Sequence, residues 1–393
     1  MLESNKHLDQ NSSKKLKVRR VLIIGNPENR RVELFTEACK NRNLDFDVLS
    51  WKELLTNPKV LESKLEEVDF VKIESYGEDF EVFKMLLKWG AKEAEHEDSP
   101  SISEKVLESF KEEKGRILYS RQCYLGFKSV LNFIKQKAYG KVEFLNSPEA
   151  IQMMFDKIGT HKALDNHRVA KTKFLGIVGS YNHLLDLMND EKCFQVFVKL
   201  AHGSSSSGVM AYRKARNREE LKTSVELVKE NGSIKCFNSL KIRTYKNPQD
   251  IKAIIDTLAK EVLIVEKWEP KASIGKEIFD LRIVVIGNEA KHAVMRCSQS
   301  PMTNLHLGNR RGDLEALKNR LGFEFWTELQ QLALKAVHAI PEANLAGVDV
   351  LITSNFNQAK VIEVNAFGDL LPNIYNEAKR TTYEEEVEFI LNH

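Results

Sequence analysis

Cysteine is scarce and scattered. Cys39, Cys123, Cys193, Cys236 and Cys297 are the five in 393 residues, and no two of them form a C-x-x-C pair. An odd, dispersed set argues against a disulfide framework or a thiolate zinc site and points to the reducing cytosol. Charge of one sign is also lacking: 59 basic residues face 56 acidic ones, a net +3 that gives no case for nucleic acid as a partner. No apolar run reaches the roughly 20 residues of a membrane span. The first residues, through about Arg20, are polar and lack the apolar stretch of a secretory signal. Residues 1–19 are therefore expected to form a disordered, solvated tail. There is no G-K-[ST] phosphate loop, no Ser-His-Asp arrangement and no internal repeat. What remains, 42% hydrophobic and 29% charged, describes a cytoplasmic globular protein of two or three domains.

The chain divides into two styles. Arg20–Asn26 reads as a buried strand and Arg30–Arg42 as a helix, with Val32, Leu34, Phe35, Ala38 and Cys39 apolar at helical spacing. Strands are expected at Phe46–Ser50, Asp69–Glu74 and Lys141–Leu145, with helices at Asp79–Glu95, Ser103–Lys114 and Lys128–Lys137. This strand–helix alternation implies a parallel α/β sheet covered by helices over 20–145. Asn146-Ser147-Pro148-Glu149 then opens a new helix with a cap and a first-turn proline. From there strands dominate, at Phe194–Leu200, Ile242–Tyr245, Leu263–Lys267, Leu281–Ile286, His292–Arg296, Val348–Ile352 and Lys360–Val364. Helical patterns near Asn217–Asn231, Pro248–Lys260 and Glu324–His338 separate some of them. Residues 146–393 thus read as an α+β unit with mostly antiparallel strands.

Asp349, Glu363 and Asn365 are the most informative residues. Glu363 and Asn365 share a strand face because side chains i and i+2 point the same way. The polar turn Thr353–Gln358 would fold Asp349 beside them as a hairpin. Two carboxylates and an amide on a sheet suit a hard cation such as Mg²⁺ shared with nucleotide phosphates. The plain alternative is a half-buried strand with polar residues facing water. Lys199 ends a strand and leads into Gly203-Ser204-Ser205-Ser206-Ser207-Gly208, a loop whose bare N–H groups can cradle phosphate. Such a run can equally be a surface linker. Glu266-Lys267-Trp268-Glu269 ends another strand, offering backbone groups to a base edge or simply stopping at Pro270. Asp280 and Arg282 share a strand face, Arg296 lies on the expected partner strand, and Arg310 and Arg311 sit beside glycines, a setting for anions.

In this order the segments resemble the ATP-grasp superfamily of ATP-dependent ligases, in the branch of the ribosomal-protein S6 glutamate ligase and the glutathione synthetases. The resemblance runs from about Asn146 to the C-terminus. It rests on D-x-R-x-x-V-x-G (Asp280, Arg282, Gly287), Asn304-Leu305-His306-Leu307-Gly308, Ala346-Gly347-Val348-Asp349 and Glu363-Val364-Asn365, together with the flap. It implies a Rossmann-like pre-ATP-grasp domain over 20–145 and a two-subdomain ATP-grasp fold over 146–393. The small nucleotide-covering subdomain would span about 160–265.

The resemblance also implies roles. Lys157 and Lys199 would contact ATP phosphates, and the loop from Gly203 through Ser204, Ser205, Ser206 and Ser207 to Gly208 would close over them. Glu266, Lys267 and Trp268 would form the adenine-side hinge, with Glu269 toward the ribose. Asp349, Glu363 and Asn365 would hold Mg²⁺, or Mn²⁺ in its place. Arg282, Arg296 and Asn304 would face the transferred phosphoryl group or the acceptor carboxylate. The implied reaction joins a carboxylate to an amine or thiol through an acyl-phosphate. The acid would be a small molecule, amino acid or peptide. A small-molecule kinase and a non-catalytic ATP-binding regulator are the alternatives, and a homodimer is common among relatives.

This chain departs from the pattern in three places. Its flap is rich in Ser rather than Gly, no Pro follows Asn365, and the 156–266 region is long enough to suggest an inserted helical hairpin over Asn217–Lys260. Two further anion candidates are Arg30-Arg31, at a helix N-terminus, and Tyr119-Ser120-Arg121. His202 lies inside the flap and is expected to be solvent-exposed, the alternative being that it reaches the active site.

Overall fold

A computed structural model describes residues 19–203, 207–216, 218–367 and 371–393. The tail expected over 1–19 lies outside these residues apart from Arg19. Among the described residues the strands form three sheets.

The first sheet is wholly parallel, in the order β2-β1-β3-β4, from β1 (Arg20–Ile24), β2 (Asp45–Leu49), β3 (Phe70–Ile73) and β4 (Glu143–Phe144). Parallel pairing needs crossovers, and helices supply them. They are α1 (Arg30–Asn41), α2 (Trp51–Thr56), α3 (Val60–Glu66), α4 (Phe80–Trp89), α5 (Ala91–Ala94), α6 (Glu104–Leu107) and α7 (Ser120–Ala138). Helix α1 starts where expected because Asn29 caps it, accepting from Arg31 N, and it buries Val32, Phe35, Ala38 and Cys39. The helix expected over Ser103–Lys114 shrinks to the single turn of α6, and the one expected over Lys128–Lys137 grows into α7. Helices α4 and α7 touch backbone to backbone. A Cβ on Gly126 would stand 1.8 Å from Leu86 O, so no side chain fits there.

Two short helices follow, α8 (Pro148–Phe155) and α9 (Lys157–Asn166). Ser147 caps α8 by accepting from Ala150 N, with Pro148 in the first turn. Asn146 ties the start of this segment to the far end of the chain. Its amide donates to Leu345 O and Ala366 O, both at 2.8 Å, and accepts from Asn344 N and Leu345 N.

The second sheet runs β5-β10-β6-β7-β8-β9. Its strands are β5 (Phe174–Val178), β6 (Gln195–Leu200), β7 (Met210–Ala215), β8 (Arg218–Glu230), β9 (Ser233–Tyr245) and β10 (Leu263–Lys267), backed by α10 (Tyr181–Asp190) and α11 (Pro248–Leu258). It has its own core, including Leu184, Val196, Tyr212, Val225, Ile251 and Leu263. Here the sequence expectation fails. The helix placed near Asn217–Asn231 is strand β8, so the supposed helical hairpin is a β-hairpin followed by α11. Glu, Lys and Leu favour helix in that stretch, but Leu221, Thr223 and Val225 are buried, and Asn231-Gly232, at φ 46° and 76°, is the two-residue turn that fixes a hairpin.

The third sheet runs β14-β13-β12-β15-β16, with β11 also pairing β12. Its strands are β11 (Ser273–Ile274), β12 (Glu277–Ile286), β13 (Glu289–Ser298), β14 (Arg310–Arg311), β15 (Leu345–Ile352) and β16 (Ala359–Asn365), with helices α12 (Leu314–His338) and α13 (Thr382–Asn392). One buried cluster joins this sheet to the first: Val21, Ile23 and Phe35 pack with Val284, Ile286, Val294, Leu345, Val387 and Ile390. No helix among the described residues is long and apolar enough to cross a membrane.

Candidate active site

The hairpin expected around Asp349 and Glu363 forms. These two residues stand directly opposite each other in the β15–β16 ladder, with Asn365 opposite Gly347. Arg282 on β12 faces Asp349, and Asp280 faces Arg296 on β13. Directly opposed residues and those two apart share a sheet face. Arg296, Asp280, Arg282, Asp349, Glu363 and Asn365 therefore make one polar strip across the sheet.

The strip is tightly paired. Arg282 Nε donates to Asp349 Oδ1 at 2.5 Å and its Nη2 to Oδ2 at 3.2 Å, while Arg296 Nη2 lies 3.1 Å from Asp349 Oδ1. Arg296 Nε donates to Asp280 Oδ1 at 2.8 Å. Asp280 Oδ2 accepts from Lys271 Nζ at 2.8 Å and from the Thr303 hydroxyl. Burial opposes charge on Asp280, but Arg296 and Lys271 overcome it and hold its pKa well below the usual range. Burial dominates at Lys271 and lowers its pKa despite Asp280. Asn365 Nδ2 donates to Gly347 O at 3.1 Å. Asn304 Oδ1 accepts from His306 N, capping a short 3₁₀ turn; the neighbouring Thr303 reaches the strip.

Two lysines approach from the other side. Asp156 caps α9 through Ile158 N, which puts Lys157 in its first turn. Lys157 Nζ lies 3.1 Å from Glu363 Oε1 and donates to Gly203 O at 2.7 Å. Burial opposes charge on Glu363, yet Lys157 and then Lys199 hold its pKa below the usual value. Lys199 on β6 stands opposite Ile264 of β10, so Glu266, two residues further on, shares its face. Lys199 Nζ donates to Glu266 Oε2 at 2.8 Å, and both residues are buried. Burial works against the Lys199 charge, but Glu266 carries its pKa upward. Burial likewise works against the Glu266 carboxylate, and Lys199 with His161 brings it down to about 2. His161 Nε2 lies 3.1 Å from Glu266 Oε1, and Thr172 Oγ1 donates to Oε2 at 3.1 Å.

The cleft between the second and third sheets is lined by Met154, Lys157, His161, Glu266, Ile362 and Glu363. Of the expected site residues, Lys157, Glu266 and Glu363 line it, and Lys199 bonds Glu266 from β6. Lys267 is exposed, Trp268 packs 5.2 Å from the Phe197 ring, and Glu269 pairs with Lys360 at 2.8 Å. Of the flap, Ser204, Ser205 and Ser206 lie outside the described residues. Gly208 has φ 67°, and a Cβ there would stand 2.9 Å from Leu200 Cδ1. His161, Thr172, Lys271 and Thr303 escaped the sequence reading. The i, i+4 spacing of Lys157 and His161 was the available signal.

Two expectations resolve differently. His202 is not exposed. Its side chain is 2% accessible, stacks on Tyr124 at 4.1 Å and lies 3.1 Å from Arg121 Nη1. Burial, then Arg121, pushes its pKa down to about 2. The anion expected at Tyr119–Arg121 is the protein's own: Glu261 accepts from Tyr119 N at 2.6 Å and Ser120 Oγ at 2.8 Å. Arg31 donates to Phe367 O at 2.8 Å, just beyond β16, while Arg30 stays exposed.

A family model described as the RimK-like ATP-grasp domain matches residues 189–375, which span the Lys199 loop, Glu266, the polar strip and the hairpin. Over these residues the chain is similar to the RimK-like ATP-grasp domain. The match supports an ATP-dependent ligase that works with ATP and Mg²⁺. No curated protein matches its sequence. Its fold is similar to three solved ATP-grasp ligases. The ligase PsnB complexed with a minimal precursor has 12% identity and a TM-score of 0.53, covering 96% of this chain and 100% of that one. D-alanine–D-alanine ligase from Bacillus anthracis complexed with ATP has 10% identity and a TM-score of 0.52, covering 96% of each. The ADP complex of N5-carboxyaminoimidazole ribonucleotide synthetase has 9% identity and a TM-score of 0.56, covering 95% of this chain and 77% of that one.

The donor set fits Mg²⁺. Asp349, Glu363 and Asn365 offer oxygens from one sheet face. Among the described residues no cluster of three or more His, Cys, Asp or Glu stands ready to hold a metal alone. A few protein oxygens completed by phosphate are what this ion prefers in nucleotide sites.

Proposed function

We propose that this ATP-grasp enzyme joins a carboxylate to an amine or thiol through an acyl-phosphate, and that the carboxylate belongs to an amino acid or peptide. The observation that carries the reading is the opposition of Lys157 and Lys199 to the strip Arg296–Asp280–Arg282–Asp349–Glu363 across one cleft. Lys157 and Lys199 bind and orient the phosphates, with the loop Gly203–Gly208 covering them. Glu266, Lys267, Trp268 and Glu269 border the nucleoside. Asp349, Glu363 and Asn365 hold Mg²⁺, which when bound supplies charge neutralisation on the transferring phosphoryl group.

Arg282 and Arg296 are fixed in place by Asp349 and Asp280, so their guanidinium groups are preorganised toward an anion. They steady the acceptor carboxylate and the phosphoryl oxygens, with Asn304 at the rim. Phosphoryl transfer from ATP to the carboxylate breaks the γ-phosphate's bond to ADP. Attack by the amine or thiol then releases phosphate. No protein nucleophile is required, and positioning with charge stabilisation carries the rate. The three sheets support a division into a Rossmann-like unit over 20–145 and an ATP-grasp unit over 146–393, with the small subdomain over about 160–265. The reducing cytosol is the proposed compartment.

The test is ADP and phosphate release from Mg-ATP across amino acids and short peptides, each with and without amines or thiols, followed by product masses. Release that requires both partners, with a mass gain equal to condensation, is expected. A phosphorylated product without condensation would replace the ligase reading by a kinase. In Glu363→Ala, turnover should fall by at least ~100-fold while the fold persists, and undiminished turnover would remove Glu363 from the metal site.

A further inference from the structure

Helix α9 spans the cleft with one face. Lys157 and His161, four residues apart, project together, Lys157 to Glu363 of the third sheet and His161 to Glu266 of the second. Glu266 is 2% accessible and receives three donors: Lys199 Nζ and Thr172 Oγ1 on Oε2, and His161 Nε2 on Oε1. A carboxylate only accepts, so His161 Nε2 carries the hydrogen. His161 Nδ1 is buried and has no hydrogen-bond partner among the described residues, so the ring's one directed bond is the one to Glu266.

We propose that His161 is a positioning residue for ATP binding, acting on Lys199 through Glu266. The inference rests on the reading of Lys199 as a phosphate ligand. A buried carboxylate must keep its donors. If Lys199 were its only partner, Glu266 would hold the ammonium tightly or turn with it, and the lysine could not present its charge to a phosphate at a fixed point. His161 pins one oxygen and Thr172 helps hold the other. The carboxylate stays put and satisfied, and Lys199 keeps N–H groups for the nucleotide. Nothing in this requires His161 to touch the ligand.

The experiment is calorimetric titration of the full-length protein with a non-hydrolysable ATP analogue and Mg²⁺, alongside unfolding midpoints. His161→Leu should weaken binding by ~10-fold, the usual scale for one hydrogen bond to a charged group. His161→Gln, whose amide can still donate, should recover most of that loss. In a Lys199→Met background, His161→Leu should cause no further loss, because its effect passes through the lysine. Unchanged affinity in His161→Leu, or an equal loss with and without Lys199, would overturn the proposal. A merely structural histidine would lower the unfolding midpoint and leave the affinity of the folded protein alone. Failure of the wild-type protein to bind the analogue would instead remove the nucleotide reading beneath it.

Discussion

Two buried lysines sit in this molecule in opposite surroundings. Lys72 on β3 is shared by two carboxylates, Glu74 and Glu386, each at 2.7 Å, and lies 4.8 Å from the Phe35 ring centre. No well-aligned hydrogen bond from the described residues reaches either Glu74 oxygen or Glu386 Oε2. Lys199 shares one carboxylate with two further donors. The first cluster has surplus acceptors and cannot spare its lysine. The second has surplus donors and can. The first joins the parallel sheet to α13, and the second borders the cleft. Burial alone therefore does not separate a structural lysine from one available to a ligand; the balance of donors and acceptors around its carboxylate does.

The comparison breaks most visibly at Lys72. Lys72→Met leaves two buried carboxylates without their cation and should cost about 3–5 kcal/mol, read from denaturant unfolding, while nucleotide affinity of the folded protein stays unchanged. Lys199→Met should reverse the emphasis. Glu266 keeps two donors, so the stability loss should be smaller, about 1–3 kcal/mol, and binding of the Mg-nucleotide should weaken by ~10–100-fold in titration.

Acid separates the clusters by sign. Burial, set against Lys199 and His161, leaves the folded Glu266 near 2 against an ordinary 4.5. Its contribution is present above 4.5 and is lost as pH falls from about 4.5 to about 2. Burial, with Glu74 beside it, raises Glu386. Its contribution is present at low pH and is lost as pH rises through the carboxylate range toward its raised folded value. Unfolding midpoints across that range should therefore lose the acid-side decline in Glu266→Gln and lose the opposing trend in Glu386→Gln. The smallest effect belongs to Glu386→Gln near neutral pH. Removing the surplus charge should change stability by less than about 1 kcal/mol, and a loss as large as that of Lys72→Met would refute the acceptor-surplus reading.

The polar strip was legible because its residues are neighbours in register: Asp349 and Glu363 face each other across a hairpin, and Asp280 and Arg282 are two apart on one strand. The donors on Glu266 were not. His161 and Thr172 lie 105 and 94 residues from it and arrive from a helix and a loop, where no strand alternation reports the contact. Strand β8 was misread because its composition favours helix and because Ser224, buried at a β-bulge between Thr223 and Val225, breaks the alternation of a strand. The pairing that decides it is cross-strand, and local propensity does not encode that. His202 was misread because its cover, Tyr124 and Arg121, comes from α7 in the first unit.

The Lys72–Glu386 pair also sets an order of events during synthesis. Glu386 is made roughly 300 residues after Lys72, a delay of tens of seconds at the usual ribosomal pace of about 5–20 residues per second. Until α13 emerges, β3 lacks one of its two buried counter-charges and α1 lacks the helix that packs against it. The parallel sheet thus waits for α13, made long after it, to supply the second counter-charge of Lys72 and the apolar cover of α1.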